Sequence, residues 1–119
     1  MSTAKIPQRQ WAEFLRSFSQ QHRGWRAQLQ THDLQTNETV LSDELALQSI
    51  ALDLEDEKAA RINVEVAVDN KIIKHILFKP SQLIYSLAGG NEALHIESVN
   101  TSTTVHVRPA AAKPGNHAA

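Results

Sequence analysis

The hydrophobic positions in the first part of the chain repeat every three or four residues. Over residues 7–21 the large apolar side chains fall on one side of a helix: Trp11, Phe14, Leu15 and Phe18. Pro7 suits the first helical turn, and Gly24 can adopt the left-handed conformation that ends a helix. The pattern predicts an N-terminal helix whose aromatic stripe covers a sheet, with docking of a partner helix as the alternative.

After this helix the hydrophobic period changes to two, which is typical of half-buried strands. One strand is predicted over residues 25–32, and a second over residues 49–54 with Leu54 directed inward. The apolar residues just before the second strand, including Leu47, have the opposite parity. We therefore expect a bulge or turn near Gln48.

The clearest strand covers residues 62–69, where branched apolar residues alternate with polar ones. The connection before it, residues 55–61, is too short for a crossover, so the two strands are predicted to form an antiparallel hairpin. Residues 69–71 are a turn signal. The segment that follows, residues 72–78, is apolar enough to be buried, and Pro80 interrupts the chain after it.

The last part of the chain is less uniform. Residues 81–87 fit either a strand or a short helix, and the strand is favoured. Further strands are predicted over residues 93–99 and 103–108. Residues 109–119 have no apolar pattern and are predicted to form a disordered tail.

These elements predict an α+β protein with an N-terminal helix packed on a strongly twisted, mainly antiparallel sheet of five or six strands, which can curl towards a barrel. A length of 119 residues is that of one domain and is enough to bury a core. The single domain is predicted at residues 7–108, between an N-terminal arm at residues 1–6 and the tail.

Composition excludes several classes of protein. The chain has no cysteine, which removes disulfides and thiolate nucleophiles. With a net charge of -1, the chain has no overall electrostatic attraction for nucleic acid or anionic lipid, so a nucleic-acid partner is not expected. Neither a secretory signal nor an apolar run of about 18 residues is found, so we expect a cytoplasmic protein without a membrane span.

The near-zero total hides an uneven distribution of charge. Residues 1–30 hold five basic residues and one acidic residue, a balance of +4, whereas residues 43–69 hold two basic residues and eight acidic ones, a balance of -6. Such polarity can guide association with a complementary protein or a second copy, although two solvated faces would have the same composition.

The histidines of the final hairpin suggest one candidate metal site. If Asn100 and Thr101 form a two-residue turn, His95 lies opposite His106, and Glu97 lies diagonal to them on the same face. These three side chains could hold a divalent metal. A four-residue turn would pair Glu97 with His106 instead, and a solvated face with incidental histidines is the simpler interpretation.

Enzymatic motifs are not found in the sequence. It has no Gly-x-Ser-x-Gly elbow, no phosphate loop and no Gly-x-Gly-x-x-Gly, so no catalytic residue and no cofactor is predicted. RNA binding would need exposed aromatic residues among basic ones on a strand. Outside the N-terminal segment the only aromatic residues are Phe78 and Tyr85, and both are predicted to lie in the core.

Several segments together resemble one known family. They are Ile6–Pro7 with Trp11 and Phe14–Leu15, then Phe18–Ser19, His22–Trp25, Leu45–Asp53, and His75–Ile76 ahead of Pro80. This pattern of aromatic, apolar and turn residues is similar to the bacterial domain of unknown function family 5335, over about residues 6–107. The resemblance implies the limits of the fold and a bacterial origin, and it implies no catalytic residue or cofactor.

The sequence therefore predicts a small non-enzymatic protein-binding or adaptor domain. Its sheet face or an exposed edge strand would engage a protein partner or another copy of the chain. The alternative is a small-molecule-binding or catalytic half-barrel with a pocket near His75, Lys79 and Tyr85.

Overall fold

The computed structural model describes residues 2–54 and 60–109. The elements are, in chain order, β1 (Ser2–Lys5), a 3-10 helix (Gln8–Gln10), α1 (Trp11–His22), β2 (Arg26–Asp33), β3 (Thr39–Leu41), β4 (Leu45–Asp53), β5 (Arg61–Val68), β6 (Lys71–Phe78), β7 (Gln82–Ala88), β8 (Asn91–Glu97) and β9 (Thr101–Arg108). All strand pairs are antiparallel, in the order β1-β7-β8-β9-β2-β4-β5-β6, and β3 also pairs with β2. The described residues thus form one open sheet with β1 and β6 at its two ends.

The α+β class and the antiparallel sheet are confirmed, but the prediction of five or six strands is wrong, since the described residues form nine. The additional strands are β1, β3 and β6. The first two are short and exposed along their length, so a period of two cannot be recognised in them. The predicted N-terminal arm contains β1, whereas the predicted tail beyond residue 109 lies outside the described residues.

Helix α1 and the inner face of the sheet bury one hydrophobic core, as the aromatic stripe predicts. Its fully or nearly fully buried members are Trp11, Leu15, Phe18, Ala27, Leu29, Leu47, Ile50, Ile62, Val64, Val66, Leu77, Leu83, Leu94, Ile96, Val105 and Val107. Their burial supplies the main stabilisation of the domain. No helix among the described residues is long and apolar enough to cross a membrane.

The end of the helix is fixed against a bulge in β4. The pairing of β4 with β5 shifts register between Leu47 and Ser49, which confirms the bulge predicted near Gln48. The Ser19 hydroxyl donates to the Ile50 carbonyl oxygen at 2.8 Å and accepts from the Ile50 N–H at 2.8 Å. Gly24 has a φ of 85°, the left-handed conformation expected for it, and its N–H donates to the Leu47 carbonyl oxygen.

The β8–β9 hairpin has a different register from either one predicted. His95 lies opposite Thr104, and Glu97 lies opposite Ser102. The turn is one residue earlier than expected because the Ser98 N–H and hydroxyl both donate to the Thr101 carbonyl oxygen, at 2.9 and 3.0 Å. A turn displaced by one residue shifts opposed partners by two positions, so every side chain keeps its predicted face.

Three predictions of burial are wrong. Leu54 and Phe78 are 59% and 51% exposed, and in the segment 72–78 only Leu77 is buried. Leu54 lies just beyond the last residue of β4, and Phe78 ends β6 at the edge of the sheet. Apolar composition alone cannot reveal which strand lies at an edge.

Thr103 should limit the stability of the core. Its side chain is fully buried on β9, and its hydroxyl oxygen has no hydrogen-bond partner among the described residues. A buried hydroxyl without a partner is costly, so Thr103→Val is expected to raise the free energy of unfolding by about 1 kcal/mol. Urea unfolding of the two proteins measures the change, with Thr3→Val on the exposed strand β1 as the control. Equal or lower stability of the Thr103 variant would contradict the expectation.

Candidate functional site

Strand β6 presents an unpaired, apolar edge. It ends the sheet, with β5 on one side and no strand of the described residues on the other. Its exposed large apolar side chains are Ile72, Ile73, Ile76 and Phe78, at 58%, 37%, 40% and 51%. A long apolar edge strand invites pairing with another chain, and natural proteins usually cover or shorten it. This edge is therefore our principal candidate site.

The register of the β5–β6 hairpin fixes the direction of each backbone group on β6. Val68 and Lys71 lie opposite each other across a two-residue turn. Residues that flank such a turn exchange backbone hydrogen bonds, and bonded pairs recur at every second position. Odd-numbered residues of β6 therefore bond to β5. The N–H and C=O groups that point away from the sheet belong to Ile72, Lys74 and Ile76.

Two tertiary hydrogen bonds agree with this alternation. The Lys79 N–H donates to the Ala60 carbonyl oxygen at 3.0 Å, on the side of β5. The Phe78 carbonyl oxygen points the other way and accepts the Val99 N–H at 3.2 Å. Phe78 thus marks the end of the unpaired edge.

The charge along this edge is entirely basic. Residues 71–79 contain Lys71, Lys74 and Lys79 with His75 and no acidic residue. Glu65 lies opposite Lys74 on β5, but none of these lysines forms an ion pair within the described residues. The opposite edge of the sheet, β1, carries Lys5 and also lacks an acidic residue. The two end strands of the sheet therefore both favour an acidic neighbour.

A second feature is a hydrogen-bonded cluster at the end of the helix. His22, the last residue of α1, is buried, and its Nδ1 lies 2.7 Å from the Phe18 carbonyl oxygen. Because a carbonyl only accepts, Nδ1 donates there. Nε2 lies 2.8 Å from Oε2 of Glu92, whose Oε1 accepts the Tyr85 hydroxyl at 2.7 Å. The cluster joins α1 to β7 and β8.

The environment of the cluster shifts two of its ionisation equilibria. Burial raises the pKa of the Tyr85 phenol, and the hydrogen bond to Glu92 and the charge of that carboxylate raise it further, to about 12. Burial also acts to raise the pKa of the Glu92 carboxyl. The hydrogen bonds from Tyr85 and His22, with the charge of His22, outweigh this effect, so the pKa of Glu92 lies below its ordinary value.

The raised pKa of Tyr85 can be measured directly because the chain contains one tyrosine. We expect its phenolate absorbance to develop near pH 12 in the folded protein, against an ordinary value of 10.0 in urea. Between these values the unfolded chain releases the proton first, so the free energy of unfolding should fall as the pH rises. Glu92→Gln should lower the pH at which half of Tyr85 is ionised in the folded protein. The control variant Glu97→Gln should leave this pH unchanged. A folded midpoint near 10 would contradict the assignment; circular dichroism verifies folding at each pH.

This cluster lies at a small cavity. Phe14, Phe18, His22, Tyr85 and Glu92 are among its lining residues, and its volume is about 110 Å³. Pockets for small molecules usually measure about 300–1,000 Å³. The cluster therefore serves better as a fixed contact between helix and sheet than as a ligand site.

The outer face of the β8–β9 hairpin carries a histidine network. His95 Nδ1 lies 3.0 Å from the Thr104 hydroxyl, and its Nε2 contacts both the Glu97 carboxylate and, at 3.1 Å, the Ser102 hydroxyl. The Ser102 hydroxyl donates to Glu97 at 2.8 Å. In a catalytic triad the acid and the serine bond to different ring nitrogens. Here both use Nε2, so the network does not prepare Ser102 as a nucleophile.

Glu97 is the acid of this network. The hydrogen bond from Ser102 holds the pKa of the Glu97 carboxyl below its ordinary value; burial opposes the effect, and the hydrogen bond and charge of His95 add to it. The network is thus a set of hydrogen bonds within β8 and between β8 and β9, on a partly exposed face.

The predicted metal ligands are only partly brought together. His95 and Glu97 are in contact, whereas His106 lies opposite Ala93, and its Nε2 lies 3.1 Å from Oε1 of Gln30. Within residues 2–54 and 60–109, no three histidine, aspartate or glutamate side chains form a group that could hold a metal ion.

The residues of the predicted pocket lie on different parts of the sheet. His75 is on β6, the last strand in the order, and Lys79 follows that strand. Tyr85 is on β7, near the opposite end, and packs on Phe14 and Phe18 with ring centroids 6.0 and 6.3 Å away.

Sequence reasoning missed His22, although a signal for it exists. His22 follows Trp11, Leu15 and Phe18 at the spacing of the buried helix face, which indicates that it points inward. Its partner Glu92 is 70 residues further along the chain, and nothing local links the two.

The fold and the candidate site define a class: a one-helix α+β domain built on an open antiparallel sheet, with an apolar, basic edge strand. The chain belongs to the family of unknown function DUF5335, whose model matches residues 2–115. No curated protein and no solved structure matches the chain.

Proposed function

We propose that this protein is a small, non-enzymatic binding domain that takes up an extended segment of a protein partner along β6. The observation that carries the proposal is the coincidence of outward backbone groups and exposed apolar side chains on the same strand. Ile72, Lys74 and Ile76 each offer one N–H and one C=O to an added strand. Backbone bonds of this kind supply affinity in β-strand addition, and neighbouring side chains supply specificity.

The alternative function, a small-molecule-binding or catalytic half-barrel near His75 and Tyr85, has less support. These residues lie on β6 and β7, which are far apart in the strand order. The cavity beside Tyr85 is smaller than ordinary ligand pockets. Strand addition, by contrast, uses groups that the fold already leaves available.

A proline substitution tests the proposal. Ile76→Pro removes an N–H that points away from the sheet, so the fold should tolerate it while strand addition fails. Ile76→Ala shortens the same side chain and keeps the N–H. Immobilised wild type and Ile76→Ala should retain the same specific protein from a native lysate, and Ile76→Pro should lose it. Retention of that protein by folded Ile76→Pro, or a strict monomer without any partner, contradicts the proposal.

Amide hydrogen exchange of the free protein tests the geometry without any partner. The N–H groups of Ile73, His75 and Leu77 bond to β5 and should exchange slowly, whereas those of Ile72, Lys74 and Ile76 should exchange close to the rate of an unprotected amide. Residue-resolved exchange by nuclear magnetic resonance gives both sets in one experiment. Uniform protection along β6 would show that the edge is already paired.

A further inference from the structure

We infer that the segment received by β6 is an acidic, extended stretch of another protein rather than β6 or β1 of a second copy of this chain. The inference rests on the proposed function and names the chemistry of its partner. It follows from the charge of the two end strands of the sheet, β1 and β6, and from the position of the unpaired backbone groups on β6.

Self-pairing of β6 through all three of its outward residues is opposed by its own lysine. An antiparallel pair of two β6 edges joins outward residues to outward residues, so the symmetric register that uses all three of them is centred on Lys74. That register places the Lys74 side chains of the two copies directly opposite each other, and like charges in this position are destabilising. The register centred on Ile76 needs the Phe78 backbone, whose carbonyl oxygen already accepts the Val99 N–H.

Pairing of β6 with the other end strand of the sheet is also unfavourable. That strand, β1, is four residues long and carries Lys5 with no acidic residue. A contact between β6 of one copy and β1 of the next therefore again joins two basic strands. Lysine on an edge strand is a common means of preventing such association.

The same lysines favour an acidic partner. In an added strand, the residue opposite Lys74 shares its face, and a carboxylate there would form a cross-strand ion pair. The residues opposite Ile72 and Ile76 would share that face with large exposed apolar side chains. Lys71 and Lys79 lie near the two ends of the edge and extend the positive potential along it. The complementary segment therefore combines acidic with β-branched or aromatic residues.

Two synthetic peptides of about seven residues test this inference. One carries valine, glutamate and valine at alternate positions with threonine between them, the other carries lysine in place of the glutamate, and both are acetylated, amidated and dye-labelled for fluorescence anisotropy. The glutamate peptide should bind the wild type at least about tenfold more tightly than the lysine peptide, and Lys74→Glu should reverse the order. Ile76→Pro should abolish binding, Ile76→Ala should keep the preference, and added salt should weaken the glutamate peptide selectively.

The outcomes separate the partner's chemistry from the proposed function. The inference of an acidic partner is overturned if both peptides bind equally or if neither binds. It is also overturned if light scattering shows a wild-type dimer that Ile76→Pro dissociates. Peptide binding that survives in folded Ile76→Pro overturns strand addition itself. If that variant fails to fold, amide exchange of the wild type decides instead. New protection of Ile72, Lys74 and Ile76 on adding the glutamate peptide supports both claims, and protection elsewhere contradicts both.

Discussion

Replacing Leu15 by alanine is expected to lower the free energy of unfolding by about 2–5 kcal/mol. Leu15 is fully buried in the middle of α1, between Trp11 and Phe18 on the face that packs on the sheet. Truncation loses the burial of three carbon atoms and leaves a cavity that the surrounding rigid strands cannot close. The upper part of the range applies if β4, fixed to the helix through Ser19, does not move inward.

Urea unfolding monitored by circular dichroism and tryptophan fluorescence measures this loss. Arg16→Ala is the matched control, because Arg16 is the next residue of the helix and is exposed. Its effect should stay within about 0.5 kcal/mol. A Leu15 variant as stable as this control would show that the helix does not anchor the core.

Replacing His22 by alanine is expected to lower the free energy of unfolding by about 2–3 kcal/mol. The substitution leaves the Glu92 carboxylate with Tyr85 but without its partner on the helix. Removing one member of a fully buried pair costs about 3–5 kcal/mol, and the 15% exposure of the Glu92 side chain allows water to recover part of it. The double variant with Glu92→Gln should show a coupling of about 1–2 kcal/mol between the two sites.

The contribution of Glu92 should also depend on pH. Its folded-state pKa lies below the ordinary value of 4.5, so the unfolded chain takes up the proton first as the pH falls. The stabilisation is complete above the ordinary value and is lost as the pH falls through the folded one. Urea unfolding of wild type and Glu92→Gln across this range measures the difference. If the difference in the free energy of unfolding between the two proteins stays constant as the pH falls, the ionised Glu92 carboxylate does not stabilise the folded state.

The sequence predicts those features of the fold that depend on local order. The helix face, the left-handed Gly24 and the bulge near Gln48 each follow from neighbouring residues, and the structure confirms them. The turn between β8 and β9 differs from the prediction because Ser98 bonds to Thr101, and the hydrophobic period cannot distinguish registers that keep the same inward face.

The candidate site was harder to locate from the sequence. The sequence predicts an exposed edge strand or a sheet face as the binding surface, but the apolar composition of residues 72–78 predicts that this segment is buried. The exposure of β6 is a property of strand order, since the chain leaves β6 through Pro80 and enters β7, which pairs with β1 and β8 and not with β6. Contacts such as His22 with Glu92 likewise form only when distant segments meet.

The hydrogen bond between Val99 and Phe78 makes the two ends of β6 unequal. At Phe78 the turn between β8 and β9 occupies the last outward carbonyl, whereas at Lys71 the edge borders the turn at Asp69 and Asn70. A partner chain could continue past the second end, but it would have to bend away at the first. The bound segment of the partner would therefore continue straight only past the Lys71 end of β6. The number of residues between this segment and the partner's folded domain should matter more when that domain follows the Lys71 end.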